Sequence, residues 1–336
     1  MKQLYKSEVD VAVLFLFFTR IDITVRTFEQ IRKGRPSRLY LFQDGPRKDR
    51  QDDVDNISVL RKKIEEMIDW ECEIHCNYQD KNLGCDPSEY ISQKWMFKTE
   101  DKGIIIEDDD VMSVSFFRFC KELLDRYEND SRVNMICGMN HLGVYEECPY
   151  DYFFSRNGGA IWGWATWKRV IDKWDPSYKF LSNKYICNCV KGEFGKKLGN
   201  YYISVCEKHL SVGKEHYESI GGSYLWTNCM VNIIPKYNMT CNIGVGIEST
   251  HSTLYHKLPF SSRRQLFMKT YEMRFPLAHP LCVQADYLYW KKVNKQIRGN
   301  LFVRLFQIHR IVHIIFSFFP ALGKWVTRFE KDKQFE

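Results

Sequence analysis

The stretch GIIIEDDDVMSVSFF, residues 103–117, joins a β-branched apolar run to four consecutive carboxylates. The run Ile104–Ile106 is typical of a strand that is buried on both faces of a sheet. Four like charges in a row repel one another and lie more often in solvated loops. An acidic run directly behind a buried strand therefore indicates a place where the molecule uses negative charge.

Strand and helix patterns alternate on either side of this stretch. The predicted strands cover residues 11–18, 38–42, 72–78 and 103–106, and the predicted helices cover 22–34, 50–69, 87–100 and 113–127. This order predicts an α/β fold with a mostly parallel sheet that is covered by helices on both faces. In such sheets ligands bind beyond the carboxyl ends of the strands, where the strand order reverses. The acidic run lies at that edge.

Charge is distributed unevenly along the 336 residues. The net charge is +7, and residues 291–336 alone carry ten Lys or Arg against three acidic residues, which accounts for all of it. The preceding 290 residues are neutral overall. A basic surface for nucleic acid is therefore not expected on the main body, and nucleic acid is not an expected partner.

The N-terminal apolar run at residues 11–18 is too short to span a bilayer and has no small-residue cleavage site after it. Twelve cysteines are scattered along the chain. Together these features predict a reduced, cytoplasmic protein.

The segment 300–325 is apolar but carries polar residues at steps of three and four, which make one polar stripe on a helix. Its basic residues and Pro320 argue against a membrane span. We expect a basic amphipathic helix that lies on the inner face of the membrane. The alternative is a helix that packs on its own domain or on a partner subunit.

The acidic run has a specific chemical use. Mn²⁺ and Mg²⁺ prefer carboxylate oxygens and accept diphosphate as a co-ligand. A transferase that uses a nucleotide sugar needs such a cation, because charge develops on the nucleoside diphosphate as the sugar leaves. The alternative is a solvated acidic loop.

Five motifs together resemble bacterial nucleotide-diphospho-sugar transferases of the GT-A (Rossmann-like) fold, described as glycosyltransferase family 2-like or hemolytic-protein-like. They are FFTR (17–20), LYLFQDGP (39–46), GIIIEDDDVMSVSFFRF (103–119), GGAIWGWATWKR (158–169) and CNIGVGIESTH (241–251). The chain is more distantly similar to the GlcNAc-transferase that begins branching of eukaryotic N-glycans. The resemblance covers roughly residues 9–255.

The resemblance implies roles for the donor side of the site. Thr19 and Arg20 would meet the donor diphosphate, and Asp44 would accept from the imide N–H of uracil, which indicates a UDP-sugar. Glu107 and Asp108 would face the ribose or the donor sugar. Asp109 would bind Mn²⁺ or Mg²⁺, whereas Asp110 is extra to the matching triplet and is expected to start the next helix.

The resemblance also implies a wall for the sugar. Gly158 and Gly159 would let the backbone approach the substrate, and Trp162 and Trp164 would line the cleft, with core packing as the alternative for the two tryptophans. His251 is a further candidate as a metal ligand or as the base.

The catalytic base is where this chain departs from its relatives. They carry an Asp in a WDxxW-like stretch, which suits a base that deprotonates the acceptor hydroxyl in an inverting displacement. The matching stretch here is GGSYLW (221–226), with Ser223 near the Asp position. Candidates for the base region are therefore Ser223, His216 and Glu218, with Glu215 beside them.

These features together predict a metal-dependent, inverting glycosyltransferase that acts on a glycan or a lipid-linked acceptor in bacterial surface polysaccharide synthesis. The domain would cover residues 1–290, with a nucleotide-binding half at about 9–140 and an acceptor half at about 141–290, followed by the basic tail 291–336. The alternatives are a degenerate protein that binds sugar nucleotide or glycan without turnover, and a nucleotidyltransferase of similar fold. The second alternative would need a glycine-rich phosphate loop after the first strand, and FFTRIDITV (17–25) contains no glycine.

Overall fold

The structure is a computed structural model that describes residues 4–245, 258 and 263–298. Its strands are β1 (Val9–Phe17), β2 (Pro36–Gln43), β3 (Glu73–Tyr78), β4 (Lys102–Glu107), β5 (Asp110–Met112), β6 (Val133–Cys137), β7 (Tyr152–Ser155), β8 (Trp164–Trp167), β9 (Val231–Pro235) and β10 (Thr240–Asn242). Its helices are α1 (Ile21–Gly34), α2 (Gln51–Met67), α3 (Cys85–Met96), α4 (Ser115–Arg126), α5 (Lys168–Ile171), α6 (Lys184–Phe194), α7 (Lys196–Val212), α8 (Tyr217–Thr227) and α9 (Tyr287–Arg298).

One eight-stranded sheet organises the molecule, with the strand order β3-β2-β1-β4-β8-β6-β9-β7. Strands β3, β2, β1 and β4 pair in parallel, as do β6 and β9. Strands β8 and β7 are antiparallel to their neighbours. The predicted α/β fold with a mostly parallel sheet is therefore confirmed. Strands β5 and β10 form a separate antiparallel ribbon.

The strand order reverses between β1 and β4. Strand β1 pairs with β2 on one side and with β4 on the other, so the chain moves outward to β3 and then returns across β1. A crevice forms at the carboxyl ends of the strands at such a point. The end of β1 lies beside the end of β4, because Leu16 is in register with Glu107. The residues that follow these two strands are therefore brought together.

Both faces of the sheet are covered, which explains why the central strands are apolar throughout and do not alternate. Strand β1 is buried from Val11 to Phe17. Phe15 belongs to the core that β1 shares with helices α1, α2 and α4, and Leu14 belongs to the core on the side of α3 and α8. Truncating a buried phenylalanine such as Phe15 to alanine costs about 3–5 kcal/mol of unfolding free energy. The crevice is thus built on rigid elements.

The glycine-rich stretch 219–228 (SIGGSYLWTN) is typical in sequence of loops and short strands, but residues 217–227 form helix α8. Gly221 and Gly222 allow close packing of this helix. A Cβ at Gly221 would lie 3.0 Å from Trp174, and one at Gly222 would lie 2.9 Å from Trp226. Helices α6 and α7 precede α8 and also lie in this region.

The C-terminal end of the described chain packs on the domain. Tyr289 and Val293 of α9 are buried with Tyr145, Phe153 and Ile234. The predicted domain boundary at residue 290 therefore falls inside a packed helix. The amphipathic segment 300–325 lies outside the described residues. Within the residues that the structure describes, no helix is long and apolar enough to cross a membrane.

Candidate functional site

A cleft of about 680 Å³ lies at the carboxyl ends of β1, β2 and β4. Its volume is within the usual range for small-molecule sites. Eight of the predicted site residues line it: Thr19, Arg20, Asp44, Glu107, Asp108, Asp109, Trp162 and Glu218. The structure thus gathers most of the residues that were proposed from separate motifs around one cavity.

The acidic run turns the corner between β4 and the β5–β10 ribbon. Glu107 ends β4, Asp108 and Asp109 form the turn, and Asp110 begins β5. Asp110 was expected to start a helix, but α4 begins only at Ser115. Its fully buried carboxylate accepts from the backbone N–H of Gly163 at 2.9 Å. Asp110 therefore stabilises the turn between β4 and β5 from its buried side and does not face the cleft.

Arg20 joins the two carboxylates of the turn. It directly precedes α1 in the short connection from β1, and its Nη2 donates to Asp108 Oδ1 and, at 2.9 Å, to Asp109 Oδ2. Burial disfavours the guanidinium, but the charges of Asp108 and Asp109 more than offset this effect and raise the pKa of Arg20. An arginine thus relieves the repulsion within the acidic run in this structure.

Asp109 is held from the opposite side by Asn242 at the end of β10 and by Gly244 just after it. Asn242 Nδ2 donates to Asp109 Oδ1 at 2.9 Å. Gly244 lies so close that a Cβ built on it would be 1.7 Å from Asp109 Oδ2. Burial, followed by the charge of Asp108, raises the pKa of Asp109, while Arg20 opposes the rise. A residue with a side chain at position 244 would displace the carboxylate.

Glu107 ends β4 and lines the cleft beside Tyr217. The hydroxyl of Tyr217, from α8, donates to Glu107 Oε1 at 3.1 Å. Burial, followed by the charge of Asp109, raises the pKa of Glu107 to about 8. The raised pKa favours the protonated carboxyl group, which can donate a hydrogen bond to a sugar or ribose oxygen.

The carboxylate of Asp44 holds a neighbouring loop in place at the edge of the cleft. Its carboxylate accepts from the backbone N–H groups of Gly45, Leu83 and Gly84 at 2.8–3.0 Å and from Asn82 Nδ2 at 2.9 Å. A carboxylate offers about four acceptor positions, and these four donors fill them. A uracil N–H would therefore have to replace one of these donors, and acceptance from uracil by Asp44 stays a prediction. Asp44 instead holds the loop at residues 82–84 against the end of β2.

The predicted glycine pair does not line the cleft. Gly158 and Gly159 have positive φ angles of 103° and 114°. A Cβ at Gly158 would lie 3.2 Å from Tyr289 of α9, and one at Gly159 would lie 2.8 Å from Cys137 Sγ. The two glycines therefore allow the chain to pass between β6 and α9, and they are not among the residues that line the cleft.

The two tryptophans have different positions. Trp162 lines the cleft as predicted, whereas Trp164 lies in β8 and is only 1% exposed. The Trp164 ring stacks on Tyr217, with 6.3 Å between ring centroids. For Trp164 the core-packing alternative is correct, and its contact supports the tyrosine that bonds Glu107.

Among the candidate bases that the structure describes, Glu218 alone lines the cleft. Ser223 is 5% exposed, and its hydroxyl donates to the Ile220 carbonyl within α8. His216 stacks on His209 and contacts Asp86 at 3.1 Å, away from the cleft lining. Glu218, in the first turn of α8, lines the cavity. His251 lies outside the described residues.

Several residues at the site were not predicted from the sequence, above all Glu89 of α3, which lines the cleft. Burial, followed by the charge of Glu107, raises the pKa of Glu89 well above its ordinary value. Nothing in the pattern of α3 distinguishes this glutamate from a surface residue. Asn242 and Gly244 did carry a signal, because both stand in the CNIG stretch that contributed to the resemblance.

The chemistry of the cleft suits a hard divalent cation. Six carboxyl groups and two arginines line it. Within residues 4–245, 258 and 263–298 no group of three His, Cys, Asp or Glu side chains has metal-binding geometry. Mg²⁺ is commonly held by one or two carboxylates together with substrate phosphates. Each Asp109 oxygen accepts one donor in the structure, which leaves acceptor capacity for such a bond.

No protein-family model matches the chain, and no curated protein matches it. Solved structures with some similarity include a mannosyltransferase from Pyrobaculum calidifontis in complex with GDP-Man and Mn²⁺, at 8% identity and a TM-score of 0.33 over 51% of this chain. This chain spans half of the length of that protein.

Two further structures are similar at the same level. A UDP-glucose pyrophosphorylase complexed with UDP-glucose is 9% identical, with a TM-score of 0.36 over 68% of this chain and 91% of its own. The glycosyltransferase GlyE of Streptococcus pneumoniae is 14% identical, with a TM-score of 0.26 over 63% of this chain and 42% of its own. All three likenesses are too distant to assign a reaction, so the assignment depends on the site itself.

Proposed function

We propose that this protein is a metal-dependent glycosyltransferase that takes a sugar from a nucleoside diphosphate sugar, with UDP-sugars as the first candidates. The observation that carries the proposal is the acidic turn Glu107–Asp109, which faces a cleft of about 680 Å³. This turn is hydrogen-bonded to Arg20 at the point where the strand order reverses. Carboxylates for a cation and a guanidinium for phosphate oxygens are the two groups that a nucleoside diphosphate requires.

The donor would lie across the ends of β1 and β4. Asp109 would hold Mn²⁺ or Mg²⁺ together with the diphosphate, and Arg20 would bind the phosphate oxygens through its planar fork. A bound cation would supply charge stabilisation to the leaving diphosphate. Glu107 would donate to a hydroxyl of the sugar or the ribose, and Trp162 would offer an apolar surface to a sugar ring.

Glu218 is the residue that we propose as the base. Its side chain lies in the first turn of α8 and lines the cleft, where an acceptor hydroxyl would bind. The carboxylate would take the proton of an acceptor hydroxyl while that oxygen bonds to the anomeric carbon. The bond from this carbon to the diphosphate oxygen would break at the same time, and its electron pair would leave with the nucleoside diphosphate. This direct displacement inverts the anomeric centre.

Two alternatives lose support from this arrangement. A degenerate, non-catalytic protein was favoured by the serine at position 223, but Glu218 supplies a carboxylate in the cleft. A nucleotidyltransferase would use a glycine-rich phosphate loop after the first strand. Here β1 ends at Phe17 and α1 begins at Ile21, with Phe18, Thr19 and Arg20 between them.

The acceptor and the cellular setting belong to the same proposal. We propose a glycan or lipid-linked acceptor in bacterial surface polysaccharide synthesis, and peripheral attachment to the inner face of the membrane through the segment 300–325. The basic charge of residues 291–336 supports this attachment, because anionic lipids attract such segments.

The test of the reaction compares two assays on the same preparation. In the first, the protein is incubated with UDP-sugars and Mn²⁺, and UDP release is measured. In the second, it is incubated with UTP and sugar 1-phosphates, and pyrophosphate release is measured. We expect UDP release with at least one UDP-sugar and no pyrophosphate. Pyrophosphate release alone would replace the proposal with a nucleotidyltransferase.

A further inference from the structure

Arg20 and the proposed divalent cation require the same carboxylate. The guanidinium Nη2 lies 2.9 Å from Asp109 Oδ2 and also bonds Asp108 Oδ1. The three side chains are enclosed, with exposed fractions of 18% for Arg20, 8% for Asp108 and 14% for Asp109. Solvent therefore screens their charges only weakly.

A guanidinium and a divalent cation on the same carboxylate oxygen would repel each other at close range in a poorly screened place. The Asp109 side chain has little freedom to rotate so that it could bind both cations. Asn242 Nδ2 donates to its other oxygen, Oδ1, at 2.9 Å, and Gly244 lies against Oδ2. One of the two cations must therefore move before the other can bind closely.

Arg20 is the partner that can move. Its backbone is anchored, since its carbonyl accepts from the N–H of Thr24 at 3.0 Å in the first turn of α1. The guanidinium has only one other hydrogen bond beside the two carboxylates in the described residues, a long contact of 3.4 Å from Nη1 to the Gly244 carbonyl. A diphosphate in the cleft offers this guanidinium a bidentate anionic partner. The side chain can then leave Asp109 while the backbone stays in place.

We propose that Arg20 withholds Asp109 from divalent cations until a nucleoside diphosphate takes the guanidinium, so that metal and donor bind as a pair. This inference rests on the proposed function and deepens it. Metal alone binds weakly, because it must displace Arg20 without a replacement partner. Nucleotide alone also binds weakly, because the carboxylates of Asp108 and Asp109 repel its phosphates and hold Arg20. Each ligand strengthens the binding of the other by the same factor.

The test measures free Mn²⁺ by electron paramagnetic resonance during titration of the full-length protein, with and without UDP. The variants are Arg20→Gln, which removes the charge, and Arg20→Lys, which keeps it. Arg32→Gln is the matched control, because Arg32 pairs with Asp69 at 2.5 Å outside the cleft lining. Thermal melts show that each variant is folded.

We expect UDP to raise the Mn²⁺ affinity of the wild type by about tenfold or more, within the usual span of coupling between two ligands. Arg20→Gln binds Mn²⁺ alone about tenfold more tightly than the wild type, and UDP adds little further. Arg20→Lys and Arg32→Gln bind Mn²⁺ alone as the wild type does. If Arg20→Gln does not fold, Arg20→Lys provides the test. A tenfold gain in Mn²⁺ affinity in this charged variant would contradict the inference that the charge of Arg20 keeps Mn²⁺ from Asp109.

The outcomes separate the two proposals. If UDP binds with Mn²⁺ but Arg20→Gln gains no affinity for Mn²⁺ alone, the inference about Arg20 is overturned and the proposed function stands. If Arg20→Gln gains Mn²⁺ affinity but UDP does not bind the wild type with Mn²⁺, the competition at Asp109 stands and the proposed function falls. If neither effect is found, both are overturned.

Discussion

Replacing Gly244 by alanine tests whether Asp109 is held where the structure places it. A Cβ at position 244 would lie 1.7 Å from Asp109 Oδ2 and 2.5 Å from its Cγ. Because non-bonded contacts of a Cβ start at about 3 Å, the carboxylate must move by about 1 Å. That movement breaks the 2.9 Å hydrogen bond from Arg20 Nη2 to Oδ2.

The cost of the substitution follows from these contacts. Loss of a charge-assisted hydrogen bond costs about 1.5–3 kcal/mol, and a displaced rotamer adds about 0.5–1.5 kcal/mol. Alanine has less conformational entropy than glycine in the unfolded chain, which offsets this loss of unfolding free energy by about 0.4–1 kcal/mol. The free energy of unfolding should therefore fall by roughly 1–4 kcal/mol, and the melting temperature by about 2–8 °C for a domain of this size.

The assay is thermal denaturation followed by circular dichroism, with Gly192→Ala as the control. No heavy atom lies within 4 Å of a Cβ at Gly192, which is exposed in helix α6. That control should be unchanged or more stable by up to about 1 kcal/mol, because alanine favours helix. If Gly244→Ala melts as high as Gly192→Ala, the close contact with Asp109 is not present in the protein.

Three further predictions follow. Glu218→Gln should lower sugar transfer by about 100-fold or more while leaving UDP binding unchanged, because a general base is lost; equal loss of UDP binding would contradict the role as base. Burial lowers the pKa of His141, so the unfolded chain takes up a proton that the folded state resists as the pH falls below about 6.5. Between pH 6.5 and 5.5 the wild type should therefore lose up to about 1 kcal/mol more unfolding free energy than His141→Gln in urea titrations, and an identical pH dependence of the two proteins would refute this. Deleting residues 299–336 should release the protein from anionic liposomes in sedimentation assays, and retained binding would remove the membrane proposal.

The sheet could be predicted well from the sequence because the central strands consist of apolar residues, as is typical of strands that are buried on both faces. The run Val11–Phe17 is apolar throughout because β1 is covered on both faces, and Ile104–Ile106 of β4 is buried for the same reason. Motif positions at the ends of these strands then predicted the cleft. Arg20 and Asp109 meet because parallel neighbouring strands end at one edge.

The sequence predicted the second half of the site poorly, because the same residue types serve packing and binding. Gly158 and Gly221 are glycines because neighbouring aromatic rings lie close, which a motif does not distinguish from approach to a substrate. Trp164 and Trp162 stand two residues apart, yet only Trp162 faces the cleft. Glu89 carries no local signal, since tertiary packing alone brings α3 beside β1 and α8 at the cleft.

The central claim is that Asp109 binds a divalent cation together with a nucleoside diphosphate. It is tested most directly by isothermal titration of UDP into the protein in Mn²⁺ and in EDTA, for the wild type, Asp109→Asn and Asp69→Asn. Asp69 is the matched control, since it is a buried aspartate paired with an arginine outside the cleft lining. We predict that Mn²⁺ strengthens UDP binding to the wild type and to Asp69→Asn by about tenfold or more and has no such effect on Asp109→Asn. Equal enhancement by Mn²⁺ in Asp109→Asn, or no UDP binding to the wild type, would contradict the claim.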